Sequence, residues 1–118
     1  MHEFLIMIHR DLTSKNPKPS PDQLKSAMKP YQEWIAGIGA EDQLVGTPKR
    51  WDLEGFVIQQ GKKEVKISNG PFGTGNNSIG GLFLIKADTY DEAVKIAEEC
   101  PIIQYGAVVE VRMAMPVA

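Results

Sequence analysis

Phe4-Leu5-Ile6-Met7-Ile8 and Ile79-Gly80-Gly81-Leu82-Phe83-Leu84-Ile85 are the two stretches from which the architecture follows. Side chains alternate across a β-strand, so Phe4, Ile6 and Ile8 point one way and Leu5, Met7 and His9 the other. Both faces of the strand over residues 3–9 are apolar until His9, and the second stretch is apolar on both faces as well. A strand with one wet face would show a polar residue at every second position. The pattern therefore predicts two central strands, each covered on both sides.

Around these strands the chain shows helix patterns and turns. Thr13 to Pro21 carries three prolines and reads as a loop. Ser20 is a suitable N-cap for the helix that follows, with Pro21 in the first helical position and Gln23 completing a capping box. Leu24, Ala27, Met28, Tyr31, Trp34, Ile35 and Ile38 recur at the spacing of one buried helical face. Gly37 and Gly39 are expected to end that helix. Pro30 falls inside it and cannot donate to the carbonyl of Ser26. A solvent-side kink in one helix is the expected outcome, with two separate helices as the alternative.

Residues 43–68 read as extended pieces, among them Leu44-Val45 and Phe56-Val57-Ile58. Gln60-Gly61-Lys62-Lys63 is expected to turn the chain into Glu64-Val65-Lys66-Ile67-Ser68, whose strict alternation marks a half-exposed hairpin strand. A glycine- and asparagine-rich stretch runs from Asn69 to Ser78. After the second central strand, Thr89 or Asp88 caps another helix, with Glu92 in the box position relative to Thr89. Ala93, Ile96, Ala97 and Cys100 face inward, Pro101 stops the helix, and Ala107 to Met113 is the last strand.

The element order β-α-β-β-β-α-β gives an α+β, ferredoxin-like protomer with an antiparallel sheet and an extra hairpin arm, one domain over residues 1–118. Two helices with one apolar face each cover only one side of that sheet. The other side also carries large apolar groups, and a second copy of the same sheet is the simplest cover, so a homodimer is expected.

Composition excludes several functional classes. With 118 residues the chain holds one core, and 42% hydrophobic against 24% charged residues suffices to build it without staples. A net charge of −2 lacks the clustered Lys and Arg excess of a nucleic-acid surface. The apolar start is too short for a signal-peptide core or a membrane span. One cysteine forms no intramolecular disulfide, and a cytoplasmic protein is expected. No spacing of His, Cys and acidic residues suggests a metal, and no cofactor is implied. The glycines near residues 73–81 precede a strand rather than a helix, which removes a dinucleotide reading.

Few residues carry candidate chemistry. His9 stands at the end of a central strand, on the face away from the helices, and an imidazole can act as acid or base near neutral pH. A hydrogen-bonded rim histidine is the structural alternative. His2, near the start of the chain, is expected to be loose. Asn69 presents an amide to a ligand, or else hydrogen-bonds the turn that Asn69-Gly70-Pro71-Phe72 forms, with Gly70 at positive φ. Phe72 is expected to fill an apolar pocket. Trp51 lines a ligand pocket or packs on the hairpin arm. Glu110 and Arg112 share one strand face and form a surface pair with a neighbouring strand. Asp52 and Glu54 complete the polar candidates, and Cys100 beside Pro101 reads as a packed helix end.

Three pieces of the chain together resemble the YCII-related family, in its DGPF branch. Asn69-Gly70-Pro71-Phe72 is similar to the Asp-Gly-Pro-Phe signature. Ile79 to Ile85 is similar to the family's Leu-Gly-Gly-Phe strand at the matching distance. Asp91-Glu92-Ala93 through Cys100-Pro101, then Tyr105-Gly106-Ala107-Val108 and Glu110-Val111-Arg112, resemble its second helix and closing strand. The resemblance implies a dimeric α+β barrel with a cleft near the dimer interface. It also implies a small organic ligand of the aromatic or hydroxylated acid type, because some relatives look like enzymes acting on such compounds through a His–Asp pair. A link of other relatives with transcription factors implies an interaction module as a further alternative. This chain departs from the pattern: the signature acid is Asn69, Asn76-Asn77 replaces a Lys-Glu pair, and the first helix has no histidine. The family's His–Asp pair is therefore not carried over. On the residues alone, His9 would serve a lyase- or isomerase-type reaction, with Asn69 and Arg112 orienting the substrate.

Overall fold

The computed structural model describes residues 1–11, 21–49, 51, 55–70, 72–74 and 77–117. The main sheet is built from β1 (His2–Asp11), β2 (Leu44–Val45), β5 (Gly73–Thr74), β6 (Asn77–Ala87) and β7 (Val108–Met113). Its order is β2-β6-β1-β7, with β5 pairing the start of β6. All of these pairings are antiparallel. β1 and β6 are thus the two central strands, as their two-sided apolarity predicts. A second sheet consists only of β3 (Phe56–Gln60) and β4 (Val65–Asn69). This is the ferredoxin-like arrangement, with the hairpin inserted between β2 and β6.

The helices α1 (Pro21–Ala40) and α2 (Tyr90–Glu98) cover one face of the sheet. Phe4, Ile6 and Ile8 from β1 and Phe83, Ile85 and Ala87 from β6 form one buried cluster with Trp34, Ile38, Ala93 and Ala97 of the helices. The Trp34 indole N–H donates to the Ile96 carbonyl at 2.9 Å, which ties α1 to α2. Its ring meets Phe83 edge-on, 5.5 Å between centroids. Cys100 is buried in the same cluster, as the packed helix end requires. Burial pushes its thiol up, partly offset by the backbone N–H groups of Ile102 and Ile103.

Two details of α1 differ from the sequence pattern. The helix continues through Gly37 and Gly39 to Ala40. It stops because Asp42 takes the left-handed conformation at φ 57°. Asp42 N–H then donates to Gly39 O at 3.0 Å and Gln43 N–H to Ile38 O at 3.0 Å, the paired bonds of a Schellman end. Met28, expected inside, is 57% exposed; among the described side chains of α1, Tyr31, Trp34, Ile35 and Ile38 pack on the core. The capping box at Ser20 lies outside the described residues, as do Asp52 and Glu54. Pro30 is exposed within one continuous helix, so two separate helices are excluded. Pro30→Ala restores a backbone donor and removes a ring clash at a wet position. It should raise the urea midpoint, worth about 1 kcal/mol or more; a lowered midpoint would show that packing depends on the proline.

α2 follows its sequence signal closely. Thr89 is the N-cap, its hydroxyl accepting from Glu92 N–H at 3.2 Å. The Glu92 carboxylate reaches back one residue further than a capping box does, to Asp88 N–H at 3.0 Å. Its other oxygen accepts from the Gln43 amide at 2.9 Å, pinning the helix to the loop before β2. His2 is not loose: it begins β1 and pairs with Ala87.

The hairpin turns at Gly61 to Glu64, where Gly61 N–H donates to Glu64 O at 2.9 Å. A Cβ at position 61 would stand 2.4 Å from that oxygen, so only glycine fits. The strands then pair as far as Phe56 with Asn69. Asn69, expected to open a turn, is therefore a strand residue, while Pro71 of that expected turn lies outside the described residues. Among the described glycines, 46, 55 and 106 hold positive φ and Gly70 does not. Its N–H instead donates to Gly55 O at 2.7 Å, which extends the hairpin pairing by one step.

Candidate functional site

The face of the sheet turned away from the helices is set by strand parity. Leu5, Met7 and His9 of β1 lie on it, and pairing places Leu84 beside Leu5 and Leu82 beside Met7. On the other side β7 places Arg112 beside Leu5, Glu110 beside Met7 and Val108 beside His9. The result is an apolar floor with a polar edge.

A β-bulge shapes the end of this floor. Ile8 pairs with Gly81 and His9 with Ile79, so Gly80 is the extra residue. In regular register Ile79 would point at the helices; the bulge brings it opposite His9 on the open face, where it is 45% exposed. Glycine suits this position because a Cβ on Gly80 would approach the Arg10 side chain to 2.7 Å.

His9, Glu110 and Arg112 are joined along the polar edge. The His9 Nε2–H donates to Glu110 Oε1 at 2.9 Å, a diagonal contact between neighbouring strands. Arg112 Nε–H donates to Glu110 Oε2 at 2.7 Å. The Arg112 hydrogen bond, followed by the His9 hydrogen bond, holds the Glu110 carboxyl below the usual carboxylate range. A carboxylate bonded at Nε2 fixes the proton there and leaves Nδ1 with its lone pair, the orientation a general base needs. Among the described residues Nδ1 has no hydrogen-bond partner.

The depressed Glu110 pKa has a definite linkage sign. Its contribution to stability is present above the unfolded pKa and is lost as pH falls through the folded one. Arg112→Gln removes the larger cause, so the carboxyl should titrate at higher pH. NMR titration of the Glu110 side chain checks this; an unmoved titration would mean that the guanidinium is not what holds the charge.

The remaining expected site residues are scattered. Trp51 donates its indole N–H to the Leu82 carbonyl at 3.2 Å, just beyond the two residues where β2 pairs with β6. This bond ties it to the sheet edge. Asn69 lies exposed in β4, in the separate hairpin sheet rather than in the sheet that carries His9. Phe72, expected to fill an apolar pocket, is instead 67% exposed, next to the short β5. Arg112 alone of the four expected ligand-binding residues joins His9. A surface depression at Gly61 to Lys66 belongs to the hairpin turn and has no link to this edge. Among the described residues no three His, Cys, Asp or Glu side chains group as metal ligands do. Among the described residues, too, no helix is long and apolar enough to cross a membrane.

Glu110 is the residue whose role sequence reasoning underrated. Its pairing with Arg112 is legible from their spacing, but its bond to His9 bridges 101 positions and depends on the β1–β7 register. Among known families, the model described as the YCII-related domain matches residues 4–115. No curated protein matches.

Proposed function

The chain belongs to the YCII-related family, and we propose that it is a cytoplasmic homodimer whose open sheet face binds a small organic acid. The observation that carries this reading is the His9–Glu110–Arg112 chain, bonded at 2.9 and 2.7 Å beside an apolar floor of Leu5, Met7, Leu82 and Leu84. Ligand sites are mostly apolar with a few convergent polar groups that fix orientation. Here the floor suits a ring or short hydrocarbon. Arg112 commits only its Nε–H, so the guanidinium retains donors for a carboxylate.

An acid–base reaction of lyase or isomerase type is the second reading, and one observation favours it. Glu110 orients His9 with Nδ1 available to take a proton from a bound acid. Glu110 and His9 would then replace the His–Asp pair of the enzymatic relatives, from different positions in the fold.

The dimer rests on the same open face, since both helices lie on the opposite side. Light scattering at micromolar concentration should give about twice the mass of the 13.0 kDa chain. A thermal-shift screen of aromatic and hydroxylated acids, each beside its neutral amide, tests the ligand class. Acids should raise the melting temperature and amides should not. Equal shifts for acid and amide would contradict recognition by Arg112.

A further inference from the structure

The β3–β4 hairpin forms a sheet of its own and packs chiefly against itself. Two strands alone are marginal in water and need a third layer against one face. The hairpin has such a face ready. Phe56, Ile58, Val65 and Ile67 lie on one side of it by the register, and they are 76, 66, 55 and 65% exposed. Its other side carries Lys66 and Ser68, so the arm is amphipathic with its apolar side uncovered.

We propose that this hairpin is an arm that lies on a second copy of the chain and closes that copy's His9–Glu110 edge. The proposal rests on the homodimer reading above and adds what the partner contributes to the site.

Two observations select a second copy as the occupant. The first is charge. Lys62, Lys63 and Lys66 against Glu64 give the arm +2, so a chain of net −2 leaves −4 on everything else, and the arm is attracted to the body of its own kind. The second is shape: the arm exposes its apolar side, and on the open sheet face Ile79 and Val108 are exposed beside the half-buried Leu5, Leu82 and Leu84. One two-fold axis covers both copies of each at once. The tight Gly61–Glu64 turn fixes the register that puts the four apolar side chains on one side of the arm.

Cross-linking between marked copies tests the arm. Ile67→Cys subunits are mixed with subunits carrying Leu5→Cys, Leu82→Cys or Leu84→Cys, and oxidised; the native Cys100 is buried and out of reach. At least one mixture should give a disulfide between the two kinds of chain, in a sample that light scattering shows to be dimeric. Ile58→Asn with Ile67→Asn, both at exposed positions, should weaken the dimer by about tenfold or more, with circular dichroism confirming that the fold is kept. A dimer that shows no such cross-link and keeps its affinity in the double variant overturns the arm while leaving the homodimer reading intact. A monomer overturns both. Arm amides that exchange freely within an intact dimer also overturn it, and assign the apolar face to a different protein.

Discussion

Trp34→Ala should destabilise the protein by about 3–5 kcal/mol, the usual cost of emptying a large aromatic site in a core. The site cannot collapse easily. The indole is 8% exposed, lies edge-on to Phe83 at 5.5 Å and has Tyr31 at 5.6 Å on its own helix. Truncation also leaves the Ile96 carbonyl without its donor, which severs a side-chain bond that runs from α1 to α2. Small domains hold only about 5–15 kcal/mol in total, so the variant should be partly unfolded at physiological temperature. Trp34→Phe keeps most of the ring and loses the N–H, and should cost about 1–2 kcal/mol. Urea unfolding of the three proteins measures both steps. A loss below about 1.5 kcal/mol for the alanine variant would mean that α1 is not held to the sheet through this residue.

His9→Gln should leave the fold intact and act on the site alone. Glutamine keeps a donor for Glu110 and a comparable size, but it does not titrate near neutral pH. For an acid that the protein converts, turnover should fall by a factor on the order of 10²–10⁴. For an acid that is bound without reaction, affinity should change little while Arg112→Gln weakens it. The two variants therefore separate a base from an anchor. A converted acid with the parent rate in His9→Gln removes His9 from the chemistry.

Much of the scaffold is legible in the sequence because single physical rules act on short stretches. Two-sided apolarity over residues 4–8 and 79–85 selects the central strands, and Thr89 with Glu92 marks the start of α2. The helices fall on one face because each carries one apolar stripe. What fails is what depends on longer-range placement. Gly37 and Gly39 look like helix ends, yet tertiary packing of Ile38 carries the helix past both, and Asp42 supplies the left-handed turn. Asn69 looks like a turn residue, but hairpin pairing with Phe56 holds it in a strand. Met28 has the spacing of a buried position, yet it is exposed, while Tyr31, Trp34, Ile35 and Ile38 further along the helix pack on the core.

The site is legible in parts and not as a whole. Strand parity puts His9 on the open face, and the two-residue spacing pairs Glu110 with Arg112. Only the β1–β7 register joins the two halves, and one residue of slip would move Glu110 to the other face. Trp51 and Phe72 are aromatics in irregular segments, where composition carries no information about direction. The family match covers the architecture, but the resemblance carries no catalytic pair onto this chain.

Binding of an organic acid beside His9, through the Glu110–Arg112 edge, is open to direct observation by NMR titration of ring-labelled protein with the acids that raise the melting temperature. His9 should begin as the Nε2–H tautomer, and each binding acid should shift its ring nitrogen signals in proportion to occupancy. Arg112→Gln should weaken both the binding and the shift. An acid that saturates the protein while the His9 signals stay where they were, and that binds Arg112→Gln equally well, would contradict this placement of the site.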